Sequence, residues 1–205
     1  MFDLDGTLVD SLRDIAESVN DSLELLGLPP RPIDDYRFLV GEGIPKLCDR
    51  AVPASHADLA ARLAELTRAR YRVRPLRHTR PYPGVPDLVE RLAGAGVRLA
   101  VLSNKPQDMT TYIVAKLWPS DPFERVVGYS EEQLRKPDPT CLLRICQQLD
   151  APPAHAWLVG DTAIDVDTAK RAGVVSIGVT WGFRPRRELE EAGADHIVDK
   201  PAEIG

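Results

Sequence analysis

Short apolar runs alternate with amphipathic stretches along most of this chain. Residues 97–102, 126–129, 156–159 and 174–180 are dominated by branched and other apolar side chains, a pattern that predicts strands covered on both faces, and residues 196–198 predict a fifth. Between them, Val85, Leu88, Val89 and Leu92, and then Leu142, Leu143, Ile145 and Leu149, fall at helical steps and predict one apolar helix face each. Gly94 and Gly96 are placed to end the first of these helices, and Gly173 to end the helix that follows Asp161. Repeated strand and helix units of this kind predict an α/β fold, a doubly wound parallel sheet of the Rossmann-like type.

One stretch breaks the alternation. From about residue 10 to residue 80 helical patterning dominates, with Leu12, Ile15, Val19, Leu23 and Leu26 in steps of three and four and Leu59, Leu63 and Leu66 repeating the pattern. This predicts an inserted helical cap domain at 13–80 between two parts of a core, 1–12 and 81–205. Pro29, Pro30 and Pro32 mark a turn inside it, and residues 79–84 read as the return linker.

At 205 residues, 43% hydrophobic and 28% charged, the chain is a globular protein with enough length for one large or one interrupted domain, which excludes a disordered or low-complexity chain. The net charge of −5 argues against a general nucleic-acid or anionic-membrane binder, since those need a basic face. Cys48, Cys141 and Cys146 fit no zinc knuckle or disulfide framework and read as ordinary thiols of a reducing compartment. The first twelve residues carry acids where a secretory signal needs a basic start, and no run of about 18 apolar residues exists, so a cytoplasmic protein with no membrane partner is expected.

Four clusters carry candidate chemistry. In Asp3-Leu4-Asp5-Gly6-Thr7 a strand's alternation would aim Asp3 and Asp5 the same way, followed by a glycine that permits a sharp turn. Two facing carboxylates require a shared proton or a nearby cation, and either condition suits nucleophilic and acid–base work; a plain turn with an Asp cap is the alternative. Ser103-Asn104-Lys105 sits where an apolar strand ends and a helix starts, so hydroxyl and backbone N–H groups can hold an oxyanion or simply cap the helix. Arg135-Lys136-Pro137 is a pair of cations in an extended loop, able to balance a phosphate or carboxylate if it is not merely solvated. Asp161 and Asp165, again at a strand's end and a helix's start, offer the hard oxygen ligands that Mg²⁺ prefers, and Thr162 with Asp165 also forms a capping-box variant. All four clusters are predicted at strand C-termini, the edge where open α/β sheets bind ligands.

The residues at 3–11, at 103–105, Lys136 and the Gly-Asp-Thr-Ala-Ile-Asp at 160–165 resemble, in order, the four motifs of the haloacid dehalogenase-like hydrolase superfamily, and the tail at 177–183 with Gly193-Ala194-Asp195 is similar to its phosphoglycolate phosphatase-like branch. The resemblance implies a Mg²⁺-dependent phosphatase acting on a small-molecule phosphate monoester such as 2-phosphoglycolate. It implies that Asp3 attacks phosphorus to form an aspartyl-phosphate while Asp5 exchanges the proton. Ser103, the Asn104 backbone, Gly6 and Thr7 would then bind the phosphoryl oxygens and Lys136 would neutralise charge. Mg²⁺ would sit on the Asp3 carboxylate, the Asp5 backbone carbonyl and Asp161, with Asp165 nearby through water or the lysine. Asp5, absent from dehalogenases, favours phosphoryl transfer; Lys46, the one lysine in the expected cap, is given no Schiff-base role. A sugar-phosphate mutase or pyrophosphatase on the same core, or a non-catalytic phosphate-binding protein, is the alternative, and a monomer and a homodimer are equally compatible.

The cap is expected to act as a lid, with a turn at Gly41-Glu42-Gly43 and a basic run, Arg68, Arg70, Arg72, Arg74, Arg77 and Arg80, that either attracts an anionic substrate or is solvated. None of the four histidines is given a role. Only Met1 and Phe2 precede Asp3, where the family carries a longer central strand, so the expectation is a chain that begins late, leaves neighbouring strands unpaired and is low in stability.

Overall fold

The computed structural model describes residues 1–130 and 134–205. The chain divides into two compact units, Met1–Asp10 with Pro81–Gly205, and Ser11–Arg80. The two-residue strands β1 (Val9–Asp10) and β2 (Arg80–Pro81) stand where the chain passes from one unit to the other.

The inserted unit is helical. In α1 (Leu12–Leu25) the three- and four-residue steps bury Leu12, Ile15, Val19 and Leu23 against α3 (Ala60–Val73), which buries Leu63 and Tyr71; α2 (Ile44–Ala51) packs on α3 as well. Leu26 lies just past the end of α1, and Leu28 takes the next buried position. Asn20 fixes the turn that follows, donating to Arg31 O at 2.8 Å and accepting from Arg31 N and from the Tyr36 hydroxyl. Asp14 holds the far end of the unit: its carboxylate accepts from His78 N, Thr79 N and Thr79 Oγ1, the last at 2.6 Å. Acids of α1 meet the basic run, with Arg70 and Arg74 beside Asp21 and Arg77 beside Glu17.

In the other unit, α4 (Val85–Gly94) precedes β3 (Leu99–Pro106), α5 (Gln107–Leu117), β4 (Phe123–Tyr129), α6 (Thr140–Gln148), β5 (Trp157–Gly160), α7 (Ala163–Ala172), β6 (Val175–Val179), α8 (Arg186–Ala192) and β7 (His196–Val198). β3 pairs with β4, β5 with β6 and β6 with β7, all parallel. Phe2 joins the halves by bridging Val101 of β3 and Val159 of β5. Phe2 N donates to Ala100 O, Leu102 N to Phe2 O and Asp3 N to Val159 O, each at 2.9 Å, so the first three residues fill the central slot between β3 and β5. Ala100, Leu102 and Leu158 pack with Leu142, Ile145, Cys146 and Ala169 of α6 and α7, while the alternate residues Leu99, Val101 and Val159 are buried too, as a sheet covered on both faces requires. Leu143 departs from the expected helix face and is exposed, because the buried stripe of α6 runs through Cys141, Leu142, Ile145 and Cys146 instead. All three cysteines are buried thiols. Among the described residues no helix is long and apolar enough to cross a membrane.

Candidate active site

The parallel sheet brings Asp3, Ser103–Lys105 and Asp161 to one edge, because each lies at or just past the C-terminal end of its strand segment. The strand alternation expected for Asp3 and Asp5 is not what forms. The Leu4 carbonyl collects the N–H groups of Thr7, Leu8 and Val9, which winds the chain into a tight loop immediately after Asp3, and Asp5 bridges Val9 instead of continuing the sheet. The two carboxylates consequently acquire different partners. Lys136 Nζ lies 2.8 Å from Asp3 Oδ1, whereas Lys105 Nζ donates to both Asp5 oxygens, at 2.6 and 2.9 Å.

Lys136 is shared. It also donates to Asp165 Oδ1 at 2.6 Å, while Asp165 Oδ2 accepts from Thr162 N and Thr162 Oγ1. Asp165 therefore caps the first turn of α7 with one oxygen and holds the lysine with the other. The lysine's backbone is fixed by Asn104, whose side-chain amide donates to Lys136 O at 3.0 Å and accepts from Lys136 N at 2.8 Å. Beside it, the Arg135 guanidinium stacks 3.5 Å from the centre of the Tyr129 ring.

Asp161 is wholly buried and held from two sides: Thr7 Oγ1 donates to Oδ1 at 3.2 Å and Phe183 N to Oδ2 at 2.8 Å. The chain approaches it so closely that a Cβ on Gly6, where φ is +87°, would lie 2.3 Å from Asp161 Oδ2, and one on Gly182 would lie 2.3 Å from Asp161 Cβ. Trp181 Nε1 donates to Thr7 O at 3.0 Å and ties the two approaching loops together.

Asp3, Asp161 and Asp165 are all buried and can bring one oxygen each within 4.8 Å of the others. Burial pushes the Asp3 carboxyl up to about 7; Lys136 pulls it down and Asp165 pushes it up again. The 2.8 Å lysine contact does not reverse the upward direction, because the cost of burying the charged form outweighs it. Asp161 is pushed well up, first by burial and then by Asp165 and Asp3. For Lys136, burial acts downward, but Asp165 and Asp3 outweigh it and raise its affinity for the proton. Ionised together, three carboxylates against one ammonium would leave two negative charges in a buried site, which is why burial favours their protonated forms. That donor set, all hard oxygen, fits a divalent cation.

Gly6 and Thr7, which the resemblance puts on a phosphate, also meet Asp161: the glycine makes room for its carboxylate and the Thr7 hydroxyl donates to it. The Ser103 side chain is buried at the same strand end, and its Oγ accepts from Lys105 N at 3.3 Å, still within β3, since the helix begins only at Gln107. Lys105, the Asn104 side chain, Trp181, Gly182 and the Phe183 amide had been given no role of their own. The last three lie in the tail whose motif was visible only as a resemblance.

A sequence model of the haloacid dehalogenase-like hydrolase family matches residues 1–179. The chain is 34% identical to a phosphoglycolate phosphatase of Pseudomonas putida over 97% of its own length and 75% of the relative's. It is 32% identical to a phosphoglycolate phosphatase of Aquifex aeolicus, covering 100% and 93% of the two chains. Among solved structures, a haloacid dehalogenase-like family hydrolase of Streptococcus pneumoniae superposes with a TM-score of 0.89 at 25% identity, over 98% of this chain and 93% of the other.

Proposed function

We propose, because this chain belongs to the haloacid dehalogenase-like hydrolase family, that it hydrolyses a small-molecule phosphate monoester through a phosphorylated Asp3, with 2-phosphoglycolate the first substrate to test. The observation that carries this reading is the sharing of Lys136 between Asp3 and Asp165 beside the buried Asp161, with Asp5 set apart on its own lysine.

In the first half of the reaction an Asp3 oxygen forms a bond to phosphorus as the bond from phosphorus to the ester oxygen breaks, and Asp5 delivers a proton to that departing oxygen. In the second half, water forms the new bond to phosphorus, the bond to Asp3 breaks, and Asp5 takes the water's proton. Lys136 keeps Asp3 oriented and balances charge as phosphate arrives, and the Ser103 hydroxyl with the Asn104 backbone N–H holds phosphoryl oxygens. Mg²⁺ would be held by the Asp3 carboxylate, the Asp5 carbonyl and Asp161, with Asp165 acting from behind through Lys136. When bound, the ion supplies the positive charge that lets a dianionic ester approach an anionic carboxylate. In this reading the inserted helical unit is the cap that selects the ester.

The test is phosphate release from a panel of esters that includes 2-phosphoglycolate, with Mg²⁺ and with EDTA. Metal-dependent turnover that Asp3→Asn abolishes without unfolding the protein supports the proposal. Inertness of the unaltered chain across the panel with Mg²⁺ would sink it.

A further inference from the structure

The geometry points to Lys105 as the positioning residue of proton transfer in this site: its ammonium holds the Asp5 carboxylate in place for the exchange of a proton with the ester oxygen and then with water. The inference rests on the phosphatase reading above.

Both lysines of the site are buried, with side chains 3% exposed, yet they serve different carboxylates. Lys136 bridges Asp3 and Asp165; Lys105 donates to both oxygens of Asp5, one residue pair joined across 100 positions of sequence. A carboxylate gripped at both oxygens by one ammonium loses rotation about its terminal bond. The grip is itself rigid. Lys105 N donates to Ser103 Oγ and Lys105 O accepts from Thr110 Oγ1, while β4 presses on the same carbonyl so closely that a Cβ on Gly128 would lie 2.8 Å from it.

The chemistry gives that grip a purpose. As the bond from phosphorus to the ester oxygen breaks, the proton leaves Asp5 for that oxygen and a carboxylate remains, which Lys105 neutralises until the attacking water returns a proton to it. Without the two hydrogen bonds from Lys105 the carboxyl loses the donor that reaches both of its oxygens and is freer to turn away from the leaving oxygen.

The leaving group provides the test. An alkyl ester such as 2-phosphoglycolate needs a proton on its departing oxygen, whereas p-nitrophenyl phosphate expels a stable phenolate. In Lys105→Met, kcat/KM should fall by about 10²-fold for the alkyl ester and by less than about tenfold for the aryl ester. Asp5→Asn should show the same imbalance, and adding Lys105→Met to it should change the alkyl-to-aryl ratio no further, since the lysine acts through Asp5. A melting curve checks that Lys105→Met folds; if it does not, Lys105→Gln, which keeps a donor, is expected to show the same imbalance at smaller size. Equal losses on both esters, or losses that multiply with those of Asp5→Asn, overturn the inference. Turnover of neither ester by the unaltered protein with Mg²⁺ overturns the phosphatase reading and this inference with it.

Discussion

Asn104 and Lys136 close a two-bond ring, the amide of one donating to the carbonyl of the other at 3.0 Å and accepting its N–H at 2.8 Å. The side chain that ends one strand thereby sets the backbone of a loop 32 residues away, and through it the ammonium that meets Asp3. Asn104→Ala leaves two buried backbone groups without these partners, at about 1–3 kcal/mol each. Urea unfolding should show a loss of about 2–6 kcal/mol, and kcat should fall more than KM rises, because the lysine is displaced from the reacting carboxylate.

Lys136→Met removes the one ammonium that Asp3 and Asp165 share. Taking one partner from a buried ion pair costs about 3–5 kcal/mol. The deficit should be largest above neutral pH in EDTA and should shrink as acid protonates the stranded carboxylates, which urea titrations at pH 5.5 and 8 will read. A deficit independent of pH would contradict the shared-charge account.

The metal-free protein should lose stability as pH rises. Burial lifts Asp3 from 3.8 to about 7, so between those values the folded state binds a proton that the unfolded state has released. The stabilising contribution is complete below 3.8 and is lost as pH climbs through about 7; Asp161, shifted in the same direction, extends the trend. A divalent ion competes with those protons. The rise in melting temperature caused by Mg²⁺ should therefore be larger at pH 8 than at pH 5.5, while the EDTA-treated protein follows the opposite slope.

Gly182→Ala places a methyl group 2.3 Å from Asp161 Cβ and from Gly6 O, so Asp161 or the first loop must move. We expect a loss of about 1–3 kcal/mol, as for overpacked cores, together with loss of metal-dependent activity. Gly94→Ala is the control. It ends α4 with no atom within 4 Å of the new methyl group and should be neutral or stabilising, by about 0.5–1 kcal/mol at most.

The elements were legible in the sequence because period and punctuation are local properties. β7 spans His196–Val198, the bounds the sequence predicts, and α7 stops at Gly173 in the left-handed region. Asp161 and Asp165 were legible for the same reason, since an apolar strand immediately before them fixes their edge of the sheet. The partition of the carboxylates was not. Nothing near Asp5 announces Lys105, and nothing near Thr7 announces Trp181, 174 positions away. The alternation rule also misled at Asp3 and Asp5, because it holds only while the backbone stays extended, and Leu4 O ends that by gathering three N–H groups. Asn104 was read for its backbone, while its side chain does the bracing.

Asp165 stitches the start of α7 to Lys136, one oxygen on each. Fraying of that first helical turn and release of the lysine are therefore one event. Heat or denaturant should silence the site as soon as this turn opens, ahead of the loss of the sheet, and slow amide exchange at Thr162 should report an intact site. Selection acting on either property moves both: a change that firms the turn also stiffens the ammonium, and no substitution at this position can tune helix stability while leaving the chemistry untouched.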